Sequence, residues 1–68
     1  MPFDHEALAA RRQKLGLTQA QAADAAGMFR EVYARLEGQG GNPRLATLER
    51  LAGALKMPVS KLIKPAGG

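Results

Sequence analysis

Cysteine is absent from the 68 residues, and histidine occurs once. A disulfide framework and a thiolate metal site are therefore excluded, and one histidine leaves too few ligands for a typical zinc site. The longest runs of apolar side chains contain four or five residues, far short of the roughly 20 that span a bilayer. The first residues lack the basic start and apolar middle of a signal peptide. We therefore expect a soluble, cytoplasmic protein that uses no metal or other cofactor and does not enter a membrane.

β-Branched residues are also scarce: the chain has two valines, one isoleucine and two threonines. No stretch alternates apolar and polar residues for long, so a sheet has little to be built from. Thirteen of the hydrophobic residues are alanine, which leaves 18 larger apolar side chains for a core. These features predict an all-α fold, a compact five-helix domain over residues 1–64 followed by a flexible tail at 65–68.

Capping residues mark the first two helices. Asp4 is a good N-cap and predicts a helix over about 5–15, which a glycine follows. Thr18 and Gln21 have the spacing of a capping box and predict a second helix over about 19–26, also followed by a glycine. This second helix is short and mostly alanine.

Three further helices are predicted over about 29–37, 45–55 and 59–64. Glycines and a proline separate the third from the fourth, and a proline suits the first turn of the fifth. The third helix carries apolar residues at i, i+3, i+4 and i+7, namely Phe29, Val32, Tyr33 and Leu36.

The second and third helices are separated by little more than one glycine, which is the helix-turn-helix arrangement. From Gly16 to Leu55 the chain reads GLTQAQAADAAGMFREVYARLEGQGGNPRLATLERLAGAL. It contains LTQ, an alanine, a turn glycine, an apolar-x-x-apolar-Glu ending, NP and L-x-x-L. This pattern resembles the Xre/Cro-type phage-repressor helix-turn-helix family, without gaps from Leu8 to Ile63. No single piece is specific, but their joint spacing is a strong signal.

The resemblance implies contacts to the DNA backbone. Gln19 matches a glutamine that in the family binds a phosphate at the start of the second helix, and we favour this contact over the alternative of a plain helix-start residue. Asn42 and Arg44 match the loop and helix start that touch the sugar-phosphate backbone there. Asn42 precedes a proline, so a turn-forming role is the alternative.

The resemblance also implies base contacts by the third helix. Arg30, Glu31 and Arg35 match the variable positions that read base edges, and arginine has a donor fork suited to guanine. Glu31 would be repelled by phosphates unless it accepts from a cytosine amino group or pairs with one of these arginines. A solvated helix face is the alternative, because the charges over residues 28–38 sum to zero. The chain's net charge of +4 therefore arises elsewhere.

An ion pair is implied between Arg12 on the first helix and Glu37 near the end of the third. This ion pair would orient the third helix, which is predicted to contact DNA, against the rest of the domain. Losing one partner would cost about 3 to 5 kcal/mol if the pair is deeply buried. An exposed pair would contribute under about 1 kcal/mol.

Several positions depart from the family pattern. Phe29 and Arg44 stand where the family usually has capping Ser or Thr, at a cost of roughly 1 kcal/mol each. Periodicity places Phe29 in the core, whereas the resemblance places its ring beside the groove, where it could touch a thymine methyl group. Ala22 and Ala26 replace leucines, and we expect the larger Tyr33 to fill the space they leave.

These observations predict a sequence-specific duplex-DNA-binding transcriptional regulator, in particular a repressor that acts as a homodimer. Met57, Val59 and Leu62 are the candidate dimer contacts, because an apolar patch there has no other evident cover. The alternative is an antitoxin-like interaction module whose chief partner is a toxin protein. An enzyme is not expected, because His5 lies in an exposed first turn without a titratable partner and Ser60 is the sole serine.

Overall fold

A computed structural model describes residues 2–64 of the chain. Over these residues the fold is all-helical, as predicted, with no β-strand and one isolated β-bridge between Phe3 and Ile63. The elements are α1 His5–Lys14, α2 Gln19–Ala25, α3 Arg30–Gln39, α4 Leu45–Ala54 and a 3-10 turn Val59–Leu62.

The fifth helix, predicted over 59–64, is wrong as an α-helix, because the chain forms only the four-residue 3-10 turn there. The segment that follows is extended and pairs with the N-terminal segment. Ile63 has φ −122° and ψ 126°, the Asp4 amide donates to the Leu62 carbonyl at 2.8 Å, and the Lys64 amide donates to the Pro2 carbonyl at 3.0 Å. Backbone groups used in this pairing are not available to a helix. The flexible tail predicted at 65–68 lies outside the described residues.

Both predicted caps form their side-chain hydrogen bonds. The Ala7 amide donates to Asp4 Oδ1 at 3.1 Å at the start of α1. The Gln21 amide donates to Thr18 Oγ1 at 3.1 Å, and the Thr18 amide donates to Gln21 Oε1 at 2.9 Å, which completes the capping box of α2. By contrast, Phe29 and Arg44 precede α3 and α4 without a capping side-chain hydrogen bond.

The core gathers side chains from all four helices and the 3-10 turn. α3 packs against both α1 and α2, and the 3-10 turn packs against α4 and α1. Tyr33 of α3 and Ala22 of α2 are fully buried, and Ala26 is nearly so. This placement agrees with the volume argument, in which one ring occupies space that two small side chains leave. The other large side chains that are fully buried are Leu8, Leu51, Leu55 and Leu62.

Arg11 fastens α1 to the end of α4. Its Nε donates to the Leu55 carbonyl and its Nη2 to the Lys56 carbonyl, both at 2.9 Å. The last carbonyls of a helix have no partner within it, so this guanidinium supplies one from a neighbouring helix. Lys56, whose carbonyl accepts one of these bonds, has a left-handed conformation with φ 54°.

Candidate nucleic-acid interface

The connection between α2 and α3 is a tight turn held by backbone hydrogen bonds. The Gly27 amide donates to the Asp24 carbonyl and the Met28 amide to the Ala23 carbonyl, both at 3.0 Å. Gly27 has φ 70°, a conformation that glycine adopts without a steric penalty. α3 therefore starts at a defined position relative to α2.

One face of α3 is open to solvent and carries the predicted base-reading side chains. Arg30, Glu31 and Arg35 are all exposed. The same helix is anchored by Tyr33, which is fully buried, and by Glu37, which is 8% exposed. The three charged side chains thus stay exposed on a helix that other residues hold against the domain.

The apolar stripe predicted along this helix is wrong at two of its positions. Phe29 is 78% exposed and Val32 is 42% exposed, so only Tyr33 and the half-buried Leu36 pack inward. Phe29 precedes the helix in an extended conformation, with φ −69° and ψ 144°, so helical spacing does not apply to its side chain. Its ring instead lies at the surface beside Asp24, Gly27 and Met28.

Arg12 and Glu37 form a nearly buried, forked ion pair. Nη2 of Arg12 donates to Oε1 of Glu37 at 2.8 Å, and Nε donates to Oε2 at 2.9 Å. Their side chains are 14% and 6% exposed. The Nη1 group donates to the Leu17 carbonyl at 2.8 Å, so the same guanidinium also holds the segment between α1 and α2.

The surroundings of Glu37 set its protonation. Burial by itself would raise the pKa of the Glu37 carboxyl, but the hydrogen bonds from Arg12 and Gln19 and the nearby Tyr33 hydroxyl outweigh it and lower the pKa below its usual value. The same hydrogen bonding to Glu37 raises the pKa of Arg12. The pair therefore stays charged throughout the neutral range.

Tyr33 lies beside this pair with its hydroxyl buried. Burial first, and the neighbouring Glu37 carboxylate second, raise the pKa of Tyr33 well above its usual value. The negative charge of the carboxylate acts on the hydroxyl. Within residues 2–64, however, the hydroxyl has no hydrogen-bond partner. Tyr33 thus contributes mainly its ring.

Of the predicted phosphate contacts, Gln19 lies close to the base-reading face. It lines a shallow depression of about 520 Å³ together with Arg12, Thr18, Ala20 and Arg30. Its Nε2 donates to Glu37 Oε1 at 3.2 Å. The depression brings the start of α2 next to the first residue of α3.

Asn42 and Arg44 lie apart from that depression, in the connection between α3 and α4. Both side chains are exposed. Asn42 borders a small apolar groove that also includes Phe3, Pro43 and Leu45. Arg44 immediately precedes α4.

The candidate dimer residues do not form one exposed patch. The prediction for Leu62 is wrong, because this side chain is fully buried in the chain's own core and cannot touch a partner. Met57 and Val59 are half-buried and pack against that core. The dimer prediction assumed a helix with an exposed apolar face, whereas the chain forms a 3-10 turn here whose apolar side chains pack inward.

His5 was expected to lie exposed in the first turn, and this interpretation is wrong. Its ring is half-buried, and Nδ1 lies 2.9 Å from the Glu37 carbonyl. A carbonyl only accepts, so Nδ1 carries the hydrogen. The signal in the sequence is the seven-residue spacing between His5 and Arg12, which places both on the side of α1 that faces α3.

No described helix combines the length and apolarity needed to cross a bilayer. Within residues 2–64 no three acidic or histidine side chains are grouped to hold a metal ion.

A short helix, a tight turn and a second helix with an outward charged face define a helix-turn-helix domain. The chain belongs to the Xre/Cro-type helix-turn-helix family, since the family described as "Helix-turn-helix" matches residues 8–62. This is a family of DNA-binding transcription regulators.

Solved structures share the fold. The restriction-modification controller protein C.AhdI from Aeromonas hydrophila is 27% identical with a TM-score of 0.81, over 87% of this chain and 89% of that chain. The clp gene regulator ClgR from C. glutamicum is 23% identical with a TM-score of 0.75, over 82% of this chain and 73% of that one. The latter similarity shows the fold alone.

A mutant of hydroxyethylphosphonate dioxygenase is also similar, at 32% identity and a TM-score of 0.79. The alignment covers all of this chain but only 15% of the dioxygenase chain. None of the curated proteins compared with the chain matches it. The fold therefore occurs both as most of a small controller protein and as a minor part of a larger enzyme.

Proposed function

We propose that this chain binds duplex DNA sequence-specifically and represses transcription as a homodimer. One observation carries the proposal: Arg30, Glu31 and Arg35 are exposed on a helix that the buried Tyr33 and the nearly buried Glu37 fix to the rest of the domain. A helix that is held rigidly while its polar side chains stay free can enter a major groove, which is about 12 Å wide.

Within the groove, Arg30 and Arg35 would each present two donors to the O6 and N7 atoms of guanine. Glu31 stands beside Arg30 in the chain and would accept from a cytosine amino group. Phe29, which is 78% exposed, would rest against a thymine methyl group at the edge of the site. A neutral reading face of this kind favours specificity, because the two arginines attract every DNA sequence while the glutamate rejects most base steps.

The backbone contacts would position the helix. Gln19 keeps a second amide hydrogen free while its first is donated to Glu37, so it can donate to a phosphate without losing that contact. Asn42 and Arg44, on the other side of α3 along the chain, would hold the neighbouring sugar-phosphate segment.

A dimer is part of the proposal because one such module contacts too little DNA for regulatory affinity, whereas a twofold pair reads two half-sites about one helical turn apart. Met57 lies in a groove bordered by basic residues, which opposes a twofold contact at that point. Val59 is the predicted contact that remains a candidate. A toxin partner gains no support from the relatives named above.

Selection of bound sites from a random pool of DNA duplexes tests the proposal. The expected result is a palindromic consensus whose affinity falls steeply as salt rises, because counterions are released on binding. Binding without a preferred sequence and with a flat salt response would contradict it. A consensus that is not palindromic would contradict the dimer and leave the DNA contact standing.

A further inference from the structure

A second recognition surface lies between α1 and the segment that follows α4. It is an open groove of about 530 Å³. Its floor is apolar and is formed by Ala7 and Ala10 of α1 together with Met57 and Pro58. No part of α2 or α3 contributes to it among the residues that line it.

The sides of the groove are strongly basic. Arg11, Lys14, Lys56 and Lys61 line it, against a single acidic residue, Asp4. The Asp4 carboxylate already caps α1 by accepting from the Ala7 amide. The chain as a whole carries a net charge of +4, and this groove is where that charge is concentrated around an apolar surface.

Lys56 occupies a position where the backbone favours glycine. Its φ of 54° is left-handed, and residues with a Cβ rarely adopt this conformation. Glycine would end α4 there without strain. A lysine at this position is readily explained if its side chain has a task, and its side chain borders the groove.

The groove faces away from the proposed DNA-reading surface. At about 100° per residue, positions 7, 11 and 14 lie on one side of α1. His5 and Arg12, which contact Glu37 of α3, lie on another side of the same helix. A ligand in the groove would therefore leave α3 open, so both surfaces can be occupied at once.

We propose that this groove binds a protein segment that combines Asp or Glu residues with one or two apolar side chains. Acidic groups match the four basic side chains, and apolar side chains cover the floor that water otherwise contacts. A nucleic-acid backbone would satisfy the charges but has no aliphatic group for Met57 and Pro58. A second copy of the chain is disfavoured, because a twofold contact would bring two sets of these cations together.

The probe is a short synthetic peptide of repeating Glu-Glu-Leu units, titrated into the full chain and followed by backbone amide NMR. We expect shifts confined to residues 7–14 and 56–61. A peptide with serine in place of leucine should bind more weakly, because it cannot cover the floor. Equal binding of both peptides would overturn the proposal, since charge alone would then explain it.

Charge reversal tests the basic sides of the groove. Lys61→Glu should weaken peptide binding about fivefold, since one attraction is replaced by one repulsion. Arg50→Glu is the matched control, because Arg50 is also exposed and the net charge changes equally. A thermal melt of each variant establishes that both fold. Equal weakening by both variants would overturn the proposal.

Two further results decide between occupants. Displacement of the peptide by a duplex without the chain's consensus, with the same amide shifts at the groove, would assign the surface to nucleic acid and overturn the proposal. Self-association that Lys61→Glu strengthens would assign it to a second copy, with the same consequence. Arg30→Ala should leave peptide binding unchanged. The groove proposal can therefore be tested separately from the proposal that the chain binds DNA.

Discussion

Gln19, the first residue of α2, donates a hydrogen bond of 3.2 Å to Oε1 of Glu37, near the end of α3. The same oxygen accepts from Arg12 of α1 at 2.8 Å. One carboxylate thus joins three helices, and it does so beneath the surface that we propose reads DNA. Glu37 therefore helps to fix both the orientation of α3 and the position of Gln19, which we propose contacts a phosphate.

Replacing Glu37 by glutamine should destabilise the fold by about 3 kcal/mol, because Arg12 would remain nearly buried without a counter-charge. The value lies at the lower end for a buried pair, since the Arg12 side chain keeps some contact with water. Urea denaturation at neutral pH measures the loss. Glu49→Gln, at an exposed position of α4, is the control and should change stability little. A loss under about 1 kcal/mol for Glu37→Gln would mean that the pair behaves as a surface pair.

Acid should weaken the domain through the same carboxylate. The pKa of Glu37 is lowered in the folded state, so the folded form binds this proton less readily than the unfolded form. Its contribution to stability is present above the unfolded value, about 4.5, and is lost as pH falls through the lower folded value. Unfolding free energies measured between neutral pH and strong acid should decline in this window. The decline should be smaller in Glu37→Gln, and an equal decline in both proteins would contradict the assignment.

The buried ring of Tyr33 supports a paired prediction. Tyr33→Ile should open a cavity between α2 and α3 and destabilise the domain by about 2 kcal/mol or more, because Ala22 and Ala26 cannot fill it. Tyr33→Phe should be neutral or slightly stabilising, because it removes a buried hydroxyl that has no hydrogen-bond partner among residues 2–64. Thermal midpoints of both variants test this. An unchanged midpoint for Tyr33→Ile would refute the volume argument.

Some of this architecture could be predicted from the sequence, because it depends on local chemistry. Caps at Asp4 and Thr18 need only a side chain and an amide three residues away, so spacing reveals them. The prediction of a fifth helix was wrong because Ile63 pairs with Phe3, which is sixty residues away in the sequence. A local sequence pattern does not reveal such a contact.

In the candidate site, too, features that depend on neighbouring residues were easier to predict from the sequence than features that depend on residues far away in the chain. The outward positions of Arg30 and Arg35 agree with the family resemblance. Phe29 misled the periodic argument because it stands just before the helix, where the chain is extended. The burial of His5 was missed because its acceptor is a main-chain carbonyl, which every residue has and no sequence distinguishes.

Two arginines should respond differently when DNA binding is measured. Arg30→Ala should relax preference at one base pair at a cost of about 1 to 3 kcal/mol, because a bidentate guanine contact is lost. Arg44→Ala should weaken all sequences alike and lower the salt slope by about 1, because a phosphate contact is lost. Fluorescence anisotropy on the selected consensus and on single-base variants, at several salt concentrations, distinguishes the two. If both variants weakened binding to all DNA sequences equally, Arg30 would not contact a base.

Gly40 ends α3 against the ring of His5, and this contact leads to a prediction that can be checked with a matched glycine. A Cβ at Gly40 would lie 2.9 Å from His5 Cδ2, and the residue has φ 78°. Gly40→Ala should therefore cost about 1 to 3 kcal/mol, through left-handed strain and displacement of the ring from the Glu37 carbonyl.

Gly53, inside α4, is the matched position, since a Cβ there meets nothing within 4 Å and φ is not positive. Gly53→Ala should stabilise by about 0.5 to 1 kcal/mol, because alanine loses less backbone entropy in a helix. Denaturant unfolding of both variants gives the comparison. Changes of the same sign at the two positions would show that the His5 contact and the left-handed backbone do not govern the end of α3.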